Sequence, residues 1–387
     1  MSQNTSSASS NFSVEADLHT QRVQQLTDWL QSVFVDQPFR LESLPGDASF
    51  RRYHRLYLTP TTESIDGEVV EEVRYIIMDA PPEKESITEF VLVDEVFASV
   101  INVPTIIAKD LSQGFLVLQD FGTTEFAHLL RQFPQVSVSV NEQLNKSIDE
   151  YYQWAMQTLI DLQELSVQVA QEQAQLPYYD DKKLCEEMAL FTDWFLPYLN
   201  ISMPEHIQQA WRQMTQWLVE NIRNQPQVVV HRDYHSRNLM LDRENPEELG
   251  VIDFQDAVIG AYSYDLVSLV RDAYVNWDES TISKWIEDFW KMQKQAGLQA
   301  ADDVQTFYQD VNMMGVQRHL KVLGIFVRLA QRDGKLRYLA DIPKVMKDLR
   351  FELNWLQEET QASEALTLFT QWLENDVVPI YEQSFTL

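Results

Sequence analysis

The chain has 387 residues, 45% of them apolar and 23% charged, which supplies ample core and excludes a wholly disordered protein. Thirty basic against 59 acidic side chains leave a formal net charge of −29, a surface that repels phosphodiester backbones and anionic membranes, so neither nucleic acid nor a membrane is an expected partner. A single cysteine, Cys185, excludes an internal disulfide.

In chain order, residues 1–13 (MSQNTSSASSNFS) have neither a basic nor an apolar run. They are expected as a disordered tail and not as a secretory signal, and the expected compartment is the cytoplasm. No stretch reaches the roughly 18 to 20 apolar residues of a membrane-spanning helix. Between Val14 and Val35 the spacing of Val23, Leu26, Leu30 and Phe34 predicts a helix. FRLESL, SFRRYHRLYL and VRYIIMDA then predict three strands, with TPTTESIDGEVVEE as an exposed hairpin extension turning at Asp66-Gly67. ESITEFVLVDEVFASVI predicts a helix, and PTIIAKD and GFLVLQD predict two further strands. Residues 14–118 are therefore expected as an N-terminal β-rich lobe with an antiparallel sheet, and 119–122 as a hinge. Residues 123–387 are expected as a C-terminal lobe made mostly of helices, since Leu184, Met188, Phe191 and Phe195, and Trp211, Met214, Leu218 and Ile222, keep helical spacing.

One segment breaks that texture. VVVHRDYHSRNLML (Val228 to Leu241) places His231, Arg232, Asp233, His235, Arg237 and Asn238 between two apolar runs of strand type. Asp253 closes a third run, GVIDF. These residue types suit phosphoryl transfer. One carboxylate orients the attacking hydroxyl, while an amide oxygen and a second carboxylate hold a hard cation against phosphates. No G-x-x-x-x-G-K-[ST] occurs, which removes the P-loop route to a nucleotide.

His231 to Asn238 matches the H-R-D-x-x-x-x-N catalytic loop of protein kinases, and Asp253-Phe254 matches the start of D-F-G, but Gln255 follows and no A-P-E segment is present. With DFQDAVIGAYSYDLVSL, the pattern resembles the aminoglycoside phosphotransferase and choline-kinase branch of the protein-kinase-like fold, from about residue 37 to the end. HRDYHSRNLM, VIDFQDAV, YDLVSLVRDAY and GVQRHLKVLGIFVRLAQRDGK resemble most closely the anomeric N-acetylmuramate/N-acetylglucosamine kinases of bacterial cell-wall recycling.

The resemblance implies an α+β, bilobal kinase-like fold with a small antiparallel β-lobe and a larger helical lobe. It implies ATP and Mg²⁺, and phosphorylation of a small-molecule amino sugar at its C1 hydroxyl. No protein partner is evident. Carried onto this chain, Asp233 is the catalytic base, Asn238 and Asp253 are the Mg²⁺ ligands, and Asp265 is structural. Gly46, Asp47 and Ser49 belong to the phosphate-covering turn, and Gln119 to Phe121 to the hinge beside the adenine. The chain departs from the family at strand three, where YIIMDAP has Met78 and Asp79 but no phosphate-pairing lysine; Arg51 and Arg52 are the substitutes expected. His235, Arg237, Asp256, Arg271, Arg318 and His319 are the acceptor-side candidates. Bland alternatives stand beside them: His231 as a packed brace, His235 and Arg237 as loop holders, and Arg318, His319 and Lys321 as a solvated helix face. Two other readings of the function stay open: a kinase of an aminoglycoside or of choline, and a catalytically dead nucleotide-binding scaffold.

Overall fold

A computed structural model describes residues 6–45, 50–59, 72–131, 147–360 and 363–385, with side chains from Thr20 onward. Gly46, Asp47, Ser49 and most of the expected hairpin extension lie outside the described residues. The chain divides into two compact units, Met1–Thr88 with Pro104–Asp120, and Glu89–Val103 with Phe121–Leu387.

The first unit is a sheet with a helix on one face. Helix α1 (Ser6–Val33) starts inside the stretch expected as a tail. Strands β1 (Phe39–Ser43), β2 (Arg52–Leu58) and β3 (Arg74–Asp79) follow. Helix α2 (Thr88–Phe97) comes next, then β4 (Ile106–Asp110) and β5 (Phe115–Gln119). The strands pair antiparallel, as expected, in the order β1-β2-β3-β5-β4. Leu56, Ile77, Phe115 and Val117 point to one face and bury against Leu26, Leu30 and Phe34 of α1. Each such side chain contributes about 1.5–3 kcal/mol by leaving water. Arg22 of α1 reaches the strand end, donating to Asp79 at 2.8 Å and to the carbonyl of Gln113 at 2.6 Å. Arg55 makes a two-pronged pair with Asp120, at 2.7 and 3.2 Å.

The sequence reading groups the helix after strand three with the strands. The contacts of α2 instead assign all but Thr88 to the second unit. Phe90 and Phe97 on its apolar side pack on Phe254 with ring centroids 4.8 and 5.7 Å apart.

The second unit is mainly helical. It runs through α3 (Phe126–Leu130), α4 (Ile148–Gln163), α5 (Val167–Ala174) and α6 (Asp181–Leu190). After one widened turn come α7 (Leu196–Tyr198) and α8 (Glu205–Asn224). Four short strands follow: β6 (Gln227–Val230), β7 (Leu239–Leu241), β8 (Leu249–Val251) and β9 (Val258–Ala261). Then come α9 (Tyr264–Val270), α10 (Glu279–Gln295), α11 (Val304–Asp333), α12 (Ile342–Glu359), α13 (Glu364–Trp372) and α14 (Val378–Phe385). Strand β9 was not foreseen; it pairs with β6, and β7 pairs with β8. Helix α11 lies deep in this unit. A Cβ on its Gly324 would stand 2.2 Å from the carbonyl oxygen of Leu190, so α6 and α11 meet at backbone contact. No helix among the described residues is long and apolar enough to cross a membrane.

Candidate active site

Two ladders hold the segment singled out in the sequence. Strand β6 delivers the chain to His231, and β7 takes it up again after Asn238; each is anchored to its antiparallel neighbour. Between them the backbone takes an uncommon turn. Arg232 has φ of 79° and Asp253 has φ of 67°, both left-handed in residues with a Cβ, a conformation that costs about 1–3 kcal/mol and persists where the surroundings enforce it. The enforcement is visible. Asp265, at the start of α9, accepts the backbone N–H of His231 at 2.7 Å and of Arg232 at 2.9 Å. His231 is fully buried; its Nε2 is bonded to the carbonyl of Ile252 at 3.0 Å and its Nδ1 accepts the N–H of Asp233 at 3.2 Å. His231 is thus the packed brace.

Asn238 ties the backbone of Asp233 to the carboxylate of Asp253. Its Nδ2 donates to the backbone carbonyl of Asp233 at 2.9 Å and to Oδ2 of Asp253 at 3.3 Å, while Gln255 Nε2 donates to Oδ1 of Asp253 at 2.9 Å. That geometry uses the amide nitrogen twice and leaves the Asn238 oxygen for a ligand. Asp233 is half-buried and Asp253 exposed, so both are within reach of a ligand. Burial raises the Asp233 carboxyl, but Lys321, His235 and Arg318 outweigh it and hold Asp233 below the usual carboxylate range. Asp253 is different: close packing around the carboxylate raises it, and the like charges of Asp233 and Asp256 add to the rise although Gln255 opposes it. Two hard oxygen donors side by side, one destabilised by neighbouring negative charge, fit a hard divalent cation.

Behind the loop sits an ionic group that the sequence reading missed. Glu187 of α6 accepts from Arg232 at 2.5 Å, from Lys321 at 3.0 Å and from the hydroxyl of Tyr179. Arg318 donates to the carbonyl of Arg232 at 3.4 Å and to the hydroxyl of Tyr264 at 3.3 Å. Arg318, His319 and Lys321 are therefore buried, and the solvated-face reading of them is corrected. Their environment comes from α6, α9 and α12, which helical spacing within α11 does not reveal.

The acceptor-side candidates separate. His235 and Arg237 stand with Asp233 on the loop, and Asp256 is exposed three residues beyond Asp253. Arg271 and His319 do not join them. The Arg271 side chain is 1% exposed and faces Glu279 at 2.9 Å, Glu352 at 3.3 Å and Asp348 at 3.9 Å. His319 Nδ1 is bonded to Glu352 at 2.7 Å, and burial pushes its imidazole down to about 3. A guanidinium this enclosed is held by its carboxylates, and breaking such a set costs about 3–5 kcal/mol. Asp272, next in sequence, does touch the loop: its two oxygens accept the N–H groups of Ser236 and Tyr274, both at 2.9 Å.

In the first unit, Arg51 is buried in an ion pair with Glu85 at 2.7 Å, whereas Arg52, pointing to the other face, is exposed. The N–H of Gln119 donates to Thr105 at 2.9 Å, and its side chain accepts from Thr105 as well. In the second unit, the ring of Phe121 lies against Gly250, where a Cβ would come within 2.4 Å of it.

A model of the phosphotransferase enzyme family (APH) matches residues 40–302. The chain is 38% identical over 331 residues to an N-acetylmuramate/N-acetylglucosamine kinase of Neisseria meningitidis serogroup B, across 85% of this chain and 90% of that one. It is 36% identical over 338 residues to the kinase of the same name from Pseudomonas putida, across 84% and 90%. Among solved structures it is similar to the GDP complex of aminoglycoside 2′-phosphotransferase-IIIa, with a TM-score of 0.53 and 15% identity over 85% of this chain and 97% of that one. The chain belongs to the phosphotransferase enzyme family and is a kinase. The α+β kinase-like fold implied by the resemblance is the fold found.

Proposed function

We propose that this kinase transfers the γ-phosphoryl group of ATP to the anomeric C1 hydroxyl of N-acetylmuramate or N-acetylglucosamine, in the cytoplasmic recycling of peptidoglycan. The observation that carries the chemistry is the link that Asn238 makes between Asp233 and Asp253. The acceptor class is supported by the two relatives, both of which bear the name of that kinase.

In the reaction, the hydroxyl oxygen forms a bond to the γ-phosphorus and the bond to the bridging oxygen breaks. ADP leaves with the electron pair, and the hydroxyl proton passes to Asp233. An anomeric hydroxyl is more acidic than an ordinary alcohol, so a carboxylate held ionised by Lys321 and Arg318 is base enough. Asn238 and Asp253 would hold Mg²⁺, which supplies charge neutralisation on the phosphates. The nucleotide is assigned to Gly46, Asp47, Ser49, Arg51, Arg52, Gln119 and Phe121, with Arg51 or Arg52 in place of the absent lysine. His235, Arg237 and Asp256 are assigned to the acceptor.

The test is ATP consumption with N-acetylmuramate, N-acetylglucosamine, kanamycin and choline as acceptors, followed by a ³¹P–¹H correlation spectrum of the product. Turnover of the two sugars with phosphorus coupled to the anomeric proton is expected. Faster turnover of kanamycin or choline, or coupling to another ring proton, overturns the assignment.

A further inference from the structure

The loop carries charges that take no part in the bond-making step itself. Arg237 lies between the base and the first metal ligand in sequence, and its guanidinium stacks on the ring of Tyr274 at 3.5 Å. Among the described residues it makes no ion pair. Tyr274 is fixed in turn: Asp272 holds its N–H at 2.9 Å, and His235 meets its ring edge-on at 5.2 Å. The Nδ1 of His235 is buried and has no hydrogen-bond partner among the described residues. Arg131, at the end of α3, and Arg337 bear on the same carboxylate as Arg237, that of half-buried Asp341. Arg337 Nη2 also lies 3.4 Å from the hydroxyl of Tyr338.

Three guanidinium groups thus stand against two carboxylates. Asp272 is spent on two backbone N–H groups. Asp341 is shared among Arg237, Arg131 and Arg337. The place is cationic in a chain whose net charge is −29, and a local excess of this kind concentrates anions.

We propose that Arg237, on its Tyr274 platform and flanked by Arg131 and Arg337, forms an anion subsite that receives a carboxylate of the acceptor and thereby separates acidic from neutral sugars. The inference rests on the amino-sugar reading above, because N-acetylmuramate carries a lactyl carboxylate and N-acetylglucosamine does not. A guanidinium already fixed by stacking takes a carboxylate through paired N–H bonds with little further loss of freedom. The unpartnered nitrogen of His235 would meet a polar group of the same ligand.

The experiment measures kcat/KM for both sugars in the wild type and in Arg237→Gln, Arg237→Lys and Arg337→Gln, and in the wild type also for the carboxamide of N-acetylmuramate. The ratio of N-acetylmuramate to N-acetylglucosamine is expected to fall by about tenfold or more in Arg237→Gln, less in Arg337→Gln, and to recover partly in Arg237→Lys. The carboxamide should lose a similar factor on the unaltered enzyme, a readout independent of how the variants fold. Turnover of both sugars with an unchanged ratio, together with full activity on the carboxamide, overturns this inference and leaves the functional reading standing. A rise in the KM for ATP with an unchanged ratio assigns Arg237 to the nucleotide and overturns it as well. No turnover of either sugar by the wild type overturns the functional reading and this inference with it.

Discussion

Asp265 holds Arg232 in a left-handed conformation by accepting its N–H at 2.9 Å, while the other oxygen of the same carboxylate takes His231 at 2.7 Å. The shape of the loop from His231 to Asn238 therefore depends on a residue more than thirty positions downstream. Asp265→Asn keeps the size but turns one acceptor into a donor facing an N–H. A loss of about 2–4 kcal/mol in urea unfolding is expected, with turnover falling in parallel. A variant of wild-type stability and activity would show that the loop holds its own geometry.

Asp233 and Asp253 have separate assignments, and substitution should separate them. Asp233→Asn is expected to lower turnover by about 10² to 10⁴ while calorimetry still shows ATP binding. Asp253→Ala is expected to remove Mg²⁺-dependent ATP binding, and Asn238→Ala to weaken it less, because Mg²⁺ keeps few protein ligands. Loss of nucleotide affinity in Asp233→Asn would instead make that residue a metal ligand or a structural one.

At Gly324 two effects compete. Alanine in a helix interior is better than glycine by about 1 kcal/mol. The new Cβ would stand 2.2 Å from the Leu190 carbonyl oxygen, which belongs to backbone and does not swing aside. Overpacking of this kind costs about 1–3 kcal/mol or more, so Gly324→Ala should be destabilising on balance. A raised melting temperature would mean that α6 and α11 separate easily.

His231 should make stability depend on pH. Burial lowers its imidazole to about 4, and the same neutral form is required by Nδ1, which accepts an N–H. The folded protein therefore keeps it uncharged while the unfolded chain protonates it below about pH 6.5. Its contribution is fully present above that pH and is lost as pH falls from about 6.5 to 4, roughly 2 kcal/mol between pH 7 and pH 5. Asp265 opposes this, since burial raises it to about 7 and the folded state there binds the extra proton. The His231 contribution is therefore isolated by comparing the pH dependence of unfolding in wild type and His231→Gln. The variant should lose less stability on acidification, and NMR of the wild type should show His231 uncharged at pH 5.5. A titration near 6.5 would refute the prediction.

By itself the sequence determined most of the local elements and singled out the candidate site residues. RYHRLYL and RYIIMD are short runs rich in aromatic and branched side chains, so strands β2 and β3 could be read directly. Asp233, Asn238 and Asp253 were legible because a fixed spacing between apolar runs is written along the chain. Only tertiary structure decided which charges serve the loop. Arg271 and Asp272 are neighbours, yet one is enclosed by Glu279 and Glu352 and the other holds Ser236 and Tyr274. Arg318 and Lys321 read as an exposed face until α6 and α9 bring Glu187 and Tyr264 against them. The burial of a charged side chain depends on partners remote in sequence, and the spacing of residues within one helix carries no record of them.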